Sequence, residues 1–330
     1  MSKTYDVVGI GNAVVDVISH ADDSFLDHMG ITKGIMQLIE KDRAELLYGA
    51  MSDRTQAAGG SVANSIAGIG NLGLSTAFVG RVTDDALGRF YADALAADGT
   101  AFPNGPVQSG LPTSRSMIFV SPDGERSMNT YLGVSAELGT DDVDEGVAAA
   151  ARVVFLEGYL FDKPKGKDAF KLVARACRAA GGKAGIAISD PFCVERHRAD
   201  FLALIENELD FVIGNEDEIK SLFETDDLDE GLAKTSAICP LVACTRSGDG
   251  VSIVAGGERT DVGVTKIVPV DATGAGDGFA AGFLYGLATG RSMKDCGEMG
   301  CAVAGEVIRH VGPRAETDLK DVFAASGISL

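Results

Sequence analysis

The chain has 330 residues, room for one large α/β domain with an insertion or for two modest domains. Hydrophobic residues make up 45% of it and the mean hydropathy is +0.12, so a sizeable core can be buried. Forty-eight acidic residues against 29 basic ones give a net charge of −19, a surface that excludes nucleic acid and anionic membranes as expected partners and most simply serves solubility.

The first predicted element is a strand, "YDVVGIG". The run "GIGNAV" (9–14) then begins like the dinucleotide fingerprint G-x-G-x-x-G, but Val14 stands at the third glycine and "VVDVIS" continues as strand. Without a helix N-terminus there is no seat for a pyrophosphate, so a nicotinamide enzyme is not expected. "AVVDVISHADD" and "GIMQLIEK" read as further strands with little helix between them. "SVANSIAGIGNLG" is a helix, "STAFVG" a strand and "GRFYADALAADG" a helix. "PTSRSMIFVSPDGERSMNTYLG" has the form of a hairpin turning at "PDGE". From there strands and helices alternate: "RVVFLEG", then "KDAFKLVARACRAAGG" with its Gly-Gly stop, then "GIAISD", "DFVIGNE" and "PLVACT". The acidic runs "GTDDVDEG" and "ETDDLDEG" are solvated helix starts.

This order predicts an α/β fold: a Rossmann-like, doubly wound, mostly parallel sheet with helices on both faces. The early strands and the hairpin break the rhythm and are expected to pair into a small discontinuous β-sheet lid over residues 12–48 and 108–134. Residues 1–11, 49–107 and 135–330 form the large domain in this reading. The start "MSKTYDVVGIGN" lacks a charged region followed by an apolar one, and no apolar run reaches about 18 residues, so neither a secretory signal nor a membrane span is expected. Cys177, Cys193, Cys239, Cys244, Cys296 and Cys301 show no disulfide or zinc spacing, which fits a reducing cytoplasm. No G-x-x-x-x-G-K-[ST] and no H-R-D or D-F-G set is present.

Four short stretches carry chemistry. In "DATGAGDGF" (271–279) a strand is expected to close at Asp271, and Gly274, Ala275 and Gly276 then open a helix with N–H groups unobstructed by side chains. Those groups and the helix dipole attract an anion, while Asp277 in the first turn stays ionised and can accept a proton. Phosphoryl transfer needs such a base and such donors side by side; an ordinary helix start with an acidic cap reads equally well from the motif alone. In "AAGGSVANSIAGIGNLG" Gly59 and Gly60 let a polyol approach the backbone and Asn64 can both donate to and accept from hydroxyls, although a tight strand-to-helix turn explains them too. In "GNEDE", Asn215 and Glu218 share a helix face and can hold waters around Mg²⁺, or simply cap the helix. "CTRSGDG" follows a strand with Thr, Ser and Gly residues suited to phosphates and ribose.

In this order the four stretches make the chain resemble the ribokinase-like (PfkB) family of sugar and nucleoside kinases over nearly its whole length. "GGSVANSIAGIGNLGLSTAFVGRVTDDALG" is similar to the family's N-terminal signature and "DATGAGDGF" to its C-terminal one. The resemblance implies ATP and Mg²⁺, with Asp277 as catalytic base and Gly274, Ala275 and Gly276 as the anion hole. It assigns Asn215 and Glu218 to the Mg·ATP, Glu218 through water, and Thr245, Gly248 and Gly250 to the nucleotide border. Asp16, Gly59, Gly60 and Asn64 would bind substrate hydroxyls. Where many members have Gly two residues after the threonine, this chain has Ser247. Many members carry a monovalent cation such as K⁺ beside the anion hole, and Asp271 and Thr273 stand where its site would start. Within the family the chain is most similar to adenosine kinases. That implies Gln37 on the purine, Tyr159 and Phe192 stacking on the base, and Met128 and Leu132 as apolar walls. Core packing at strand ends is the alternative for the two aromatics, although aromatic residues are only 6% of the chain, with no Trp. The expected product is a purine nucleoside 5′-monophosphate, with a sugar kinase or an inosine or guanosine kinase as the alternatives and a non-catalytic ligand sensor as a remote one. A cytoplasmic monomer or homodimer is expected.

Overall fold

A computed structural model describes residues 3–330. The chain runs β1 (Tyr5–Ile10), β2 (Val14–His20), α1 (Asp23–Met29), β3 (Met36–Leu38), α2 (Lys41–Ala50), β4 (Thr55–Gly59), α3 (Ser61–Asn71), β5 (Thr76–Val79), α4 (Ala86–Ala97), β6 (Thr100–Ala101), β7 (Ser114–Val120) and β8 (Arg126–Tyr131). It continues through α5 (Glu145–Ala149), β9 (Ala151–Glu157), α6 (Pro164–Ala179), β10 (Lys183–Ala187), α7 (Pro191–Glu208), β11 (Phe211–Asn215), α8 (Glu216–Phe223), α9 (Leu228–Ile238), β12 (Leu241–Thr245), β13 (Val251–Ala255), β14 (Glu258–Val262), α10 (Ala275–Ala288), α11 (Met293–Val307) and α12 (Leu319–Ala325).

Nine strands form the large sheet in the order β14-β13-β12-β11-β10-β9-β1-β5-β6. It is parallel except at one edge, where β13 pairs antiparallel with both β12 and β14. Alternate side chains of its buried strands feed two cores, as a sheet covered on both faces requires. Val7, Val153 and Phe155 pack with Ile66 of α3, Phe283 of α10 and Met299 of α11. Val8, Val154 and Leu156 pack on the other face with Phe170 of α6 and Phe201 of α7.

The small sheet has the order β3-β8-β7-β2-β4. One face carries Val15, Val17, Met117 and Phe119 into the first core, where Leu26 of α1 and Leu47 of α2 cover it. Its other face looks into a cleft against the large sheet. No helix among the described residues is long and apolar enough to cross a membrane.

The expected fold class holds, and four details differ. β4 pairs antiparallel with β2 from Val14↔Gly59 to Ile18↔Thr55, so the small sheet takes chain up to Gly59 and not only to residue 48. Helix α1 fills the stretch between β2 and β3 that the sequence offered as mainly strand; Asp22 caps it by accepting from the Phe25 N–H, and Gly30 ends it in the left-handed region. The antiparallel hairpin of β13 and β14 was not anticipated. No strand closes at Asp271: residues 263–274 are irregular, Pro269 interrupts them, and Val268 and Val270 are 92% and 65% exposed rather than packed.

Candidate active site

The C-terminal ends of the large sheet and the open face of the small one enclose a single cleft of about 2050 Å³. Its floor is the start of α10. Gly274 takes φ +79°, and a Cβ there would lie 2.5 Å from Pro313 Cα, so only glycine fits. The Ala275 N–H closes the turn onto the Ala272 carbonyl at 3.2 Å. Of the expected anion-hole donors, Ala275 is therefore engaged and Gly276 presents a first-turn N–H group, as does Asp277, which was expected only as the base.

Asp277 lies half-buried at this floor. Ser61 Oγ donates to its Oδ1 at 2.6 Å and Asn64 Nδ2 to its Oδ2 at 2.9 Å. Burial pushes the carboxyl up to about 6, against those two bonds and the positive charge of Arg314. It is thus ionised at neutral pH yet close enough to neutrality to exchange a proton.

Asn64 is not free to bind substrate hydroxyls in the way the sequence implied. Its Nδ2 is spent on Asp277, and its Oδ1 accepts from Arg314 Nε at 3.0 Å. Behind the floor sits Glu157, 1% exposed, which the sequence reading passed over. Its Oε1 accepts from the Asn12 N–H and Nδ2 at 3.2 and 2.7 Å, and its Oε2 from the Val62 N–H at 3.2 Å. It clamps the start of α3 to the β1–β2 turn, and burial lifts it to about 7. The one hint in the sequence was an acidic residue ending the apolar run "RVVFLE".

The small sheet contributes a graded wall. Registered across β2, β7, β8 and β3 lie Asp16, Ser116, Thr130 and Leu38, all lining the cleft. The neighbouring positions on that face are Met128 and Met36 on one side and Val14 and Leu132 on the other. The wall passes from a carboxylate through two bonded hydroxyls (Ser116 to Thr130, 2.8 Å) to thioether and aliphatic groups. Asp16 is also pushed up to about 6 by burial, which Arg126 and Arg314 partly offset. Gly59 makes room for it: a Cβ there would lie 2.6 Å from Asp16 Oδ2. Gly60, at φ +104°, would clash with the Asn12 carbonyl at 2.2 Å if it had one.

Gln37 does not line the cleft. Its side chain donates to Asn129 Oδ1 at 2.7 Å, on the helix-covered face, because successive strand residues point to opposite sides. Met36 and Leu38, its neighbours, face the cleft instead. Tyr159 and Phe192 line the wall supplied by the large domain, Tyr159 half-buried and Phe192 67% exposed.

At the far end Asn215 and Glu218 form a reciprocal helix cap: Asn215 Oδ1 accepts from the Glu218 N–H, and the Glu218 carboxylate accepts from the Asn215 N–H and Nδ2. The capping alternative is therefore realised, and both residues also line the cleft. Burial lifts Glu218 to about 7, so a cation arriving nearby would favour its ionised form, a fit for water-mediated Mg²⁺. Thr245, Gly248 and Gly250 line the same end. Ser247 takes φ +46°, a left-handed conformation that glycine would adopt without strain.

The K⁺ expectation fits poorly. Asp271 Oδ2 accepts from Arg126 Nη1 at 3.1 Å and from the Gly312 N–H at 3.0 Å, and its Oδ1 from the Thr273 N–H at 2.9 Å. A guanidinium already neutralises this carboxylate, and the pair is largely buried, with side chains 6% and 13% exposed. Thr273 itself lines the cleft.

Comparison with known proteins agrees with the fold. The sequence profile of the pfkB family carbohydrate kinases matches residues 27–319. A probable sugar kinase from Rhizobium etli is 45% identical, with a TM-score of 0.90 over 99% of both chains. The adenosine kinase of Sinorhizobium meliloti is 46% identical, with a TM-score of 0.88 over 98% of this chain and 99% of that one. The fructokinase of Klebsiella pneumoniae is 29% identical over 248 residues, 71% of this chain and 78% of that protein.

Proposed function

The chain belongs to the pfkB family carbohydrate kinases, and we propose that it transfers the γ-phosphoryl group of ATP to the 5′-hydroxyl of a purine nucleoside. The observation that carries this reading is the graded wall. Asp16, Ser116 and Thr130 offer a polyol three polar partners in a row, and Leu38, Met36 and Met128 continue the same face as apolar surface. Strands in a sheet lie about 4.8 Å apart, so the row from Asp16 to Leu38 spans roughly 14 Å, more than one sugar ring fills. A nucleoside matches both halves, its ribose at Asp16 and its base against the apolar end, with Tyr159 and Phe192 opposite.

In this reading Asp277 takes the proton of the 5′-hydroxyl as that oxygen bonds to the γ-phosphorus, and the bond from phosphorus to the ADP oxygen breaks. The N–H groups of Gly276 and Asp277 face the charge on the moving phosphoryl group. Mg²⁺ enters with ATP, and Asn215 and Glu218 are the residues that would serve it.

The Ser116–Thr130 hydroxyl pair favours a second reading, a sugar kinase whose acceptor hydroxyls extend along that row. With Gln37 turned away, Thr130 is the polar group nearest the apolar end. The wall therefore does not separate 6-amino from 6-oxo purines. Incubation with Mg·ATP and adenosine, inosine or guanosine should yield one phosphomonoester, carried on the 5′ carbon by phosphorus–proton NMR coupling. The Asp277→Asn enzyme should lose at least about 10²-fold in kcat while still binding ADP. Near-normal turnover in that variant contradicts the role given to Asp277.

A further inference from the structure

We propose that Arg314 is a positioning residue for the reaction: it locks the Asn64 amide in the one orientation that donates to Asp277. The proposal rests on Asp277 being the base. Arg314 follows α11, does not line the cleft, and has a side chain 26% exposed. Its Nε donates to Asn64 Oδ1 at 3.0 Å and its Nη1 to Asp98 Oδ2 at 2.7 Å. Asp98 is the C-cap of α4. One side chain thus ties α4 and α3 to the base on α10.

The amide has two ends, an acceptor and a donor. A guanidinium N–H can be received only by Oδ1. Held there, the amide must turn Nδ2 toward Asp277, and the flipped form would set two oxygens against each other. The lock also sorts the two oxygens of the base. Asp277 Oδ2 faces a fixed donor and stays an acceptor. Asp277 Oδ1 faces the Ser61 hydroxyl, which can rotate and accept in turn, so Oδ1 is the oxygen free to take the substrate proton.

The charged surroundings make the lock count. Asp277 is surrounded by other acids, and its charge helps to raise Asp16 on β2 and Glu157 and Tyr159 on the β9 side. On α11, Glu306 is spent on the N–H groups of Glu316 and Thr317 and on His310. Arg314 is the positive charge that supports the ionised base.

The test is a double-mutant cycle on the full chain, with Arg314→Met, Asn64→Ala and the pair, read as kcat, the two KM values and the acid limb of kcat/KM. Arg314→Met should lower kcat about tenfold or more, leave the KM for ATP unchanged and move the acid limb to higher pH. In the Asn64→Ala background it should cost almost nothing further in kcat. Equal losses in both backgrounds, or a loss with an unmoved acid limb, overturn the proposal. If Arg314→Met fails to fold, Asp98→Asn, a change at a side chain 39% exposed, carries the test. It should lower kcat by less, and almost not at all in the Asn64→Ala background; an unchanged kcat, or an equal loss in both backgrounds, overturns the proposal. Asp277→Asn separates the two ideas: turnover surviving it removes the base reading, whereas a dead Asp277→Asn with additive Arg314 and Asn64 effects removes only the role of Arg314.

Discussion

Three side chains set the chemistry of Asp277: Ser61, Asn64 and, one step behind, Arg314. The carboxyl at about 6 gives a directional expectation. The base works only when deprotonated, so kcat/KM should rise as pH is raised through about 6 and level off above it. Asp16 is also pushed up to about 6, with Asp277 among the causes, so the limb belongs to the two carboxyls together. A profile flat from pH 5 to 8 contradicts this. Asp277 and its glycines were legible because a helix start, small residues and an acid fall within one short run of sequence. Arg314 and Glu157 were not, since their partners lie 250 and up to 145 residues away and nothing local marks them as partners. The same distance hid the true engagement of Asn64: its place at the cleft was readable, but not that both ends of its amide are taken.

At the scale of elements, a one-residue shift decides which side chains read the substrate. Strand β3 is three residues long, and its alternation puts Met36 and Leu38 on the cleft and Gln37 behind it. A sequence resemblance places a residue along the chain but does not fix the face of so short a strand. Asp271 shows the converse error, since apolar residues ahead of it resemble a strand but stand exposed in an irregular segment. The β4–α3 corner makes a sharper expectation. Gly59 leaves the space that the Asp16 carboxylate occupies, so Gly59→Ala should push that carboxylate off its position. The acceptor KM should rise about tenfold, the loss of one charge-assisted hydrogen bond, while the KM for ATP stays unchanged. Steady-state kinetics with each substrate varied in turn check this, and an unchanged acceptor KM contradicts the place given to Asp16.

For the whole molecule, two sheets facing one cleft hold four carboxyls that are buried or half-buried. Asp16 and Asp277 are raised from 3.8 to about 6, and Glu157 and Glu218 from 4.5 to about 7. Between those values the folded protein holds more protons than the unfolded chain, so stability falls as pH rises through the folded values. Carboxyls lowered by their partners, such as Asp261, act only near and below the unfolded value of 3.8, outside this window. The Tm of the ligand-free protein should therefore be higher at pH 5.5 than at pH 8, by thermal denaturation in matched salt, and a Tm that climbs over that range contradicts the burial of these groups. The alternation of strand and helix made the large sheet legible, whereas the limits of the small one depend on β4 returning to β2, a pairing that local pattern does not encode. What the two sheets enclose is the central claim, a site with a polar half and an apolar half in one wall. It is tested most directly by kcat/KM for adenosine, inosine, guanosine, ribose and fructose, measured on the native enzyme and on Tyr159→Ala. Base stacking on aromatic side chains is worth about 1–3 kcal/mol, so a purine nucleoside should exceed ribose by roughly 10-fold to over 100-fold, and Tyr159→Ala should erode that ratio. Ribose or fructose outpacing every nucleoside, or Tyr159→Ala slowing nucleosides and ribose alike, would contradict it.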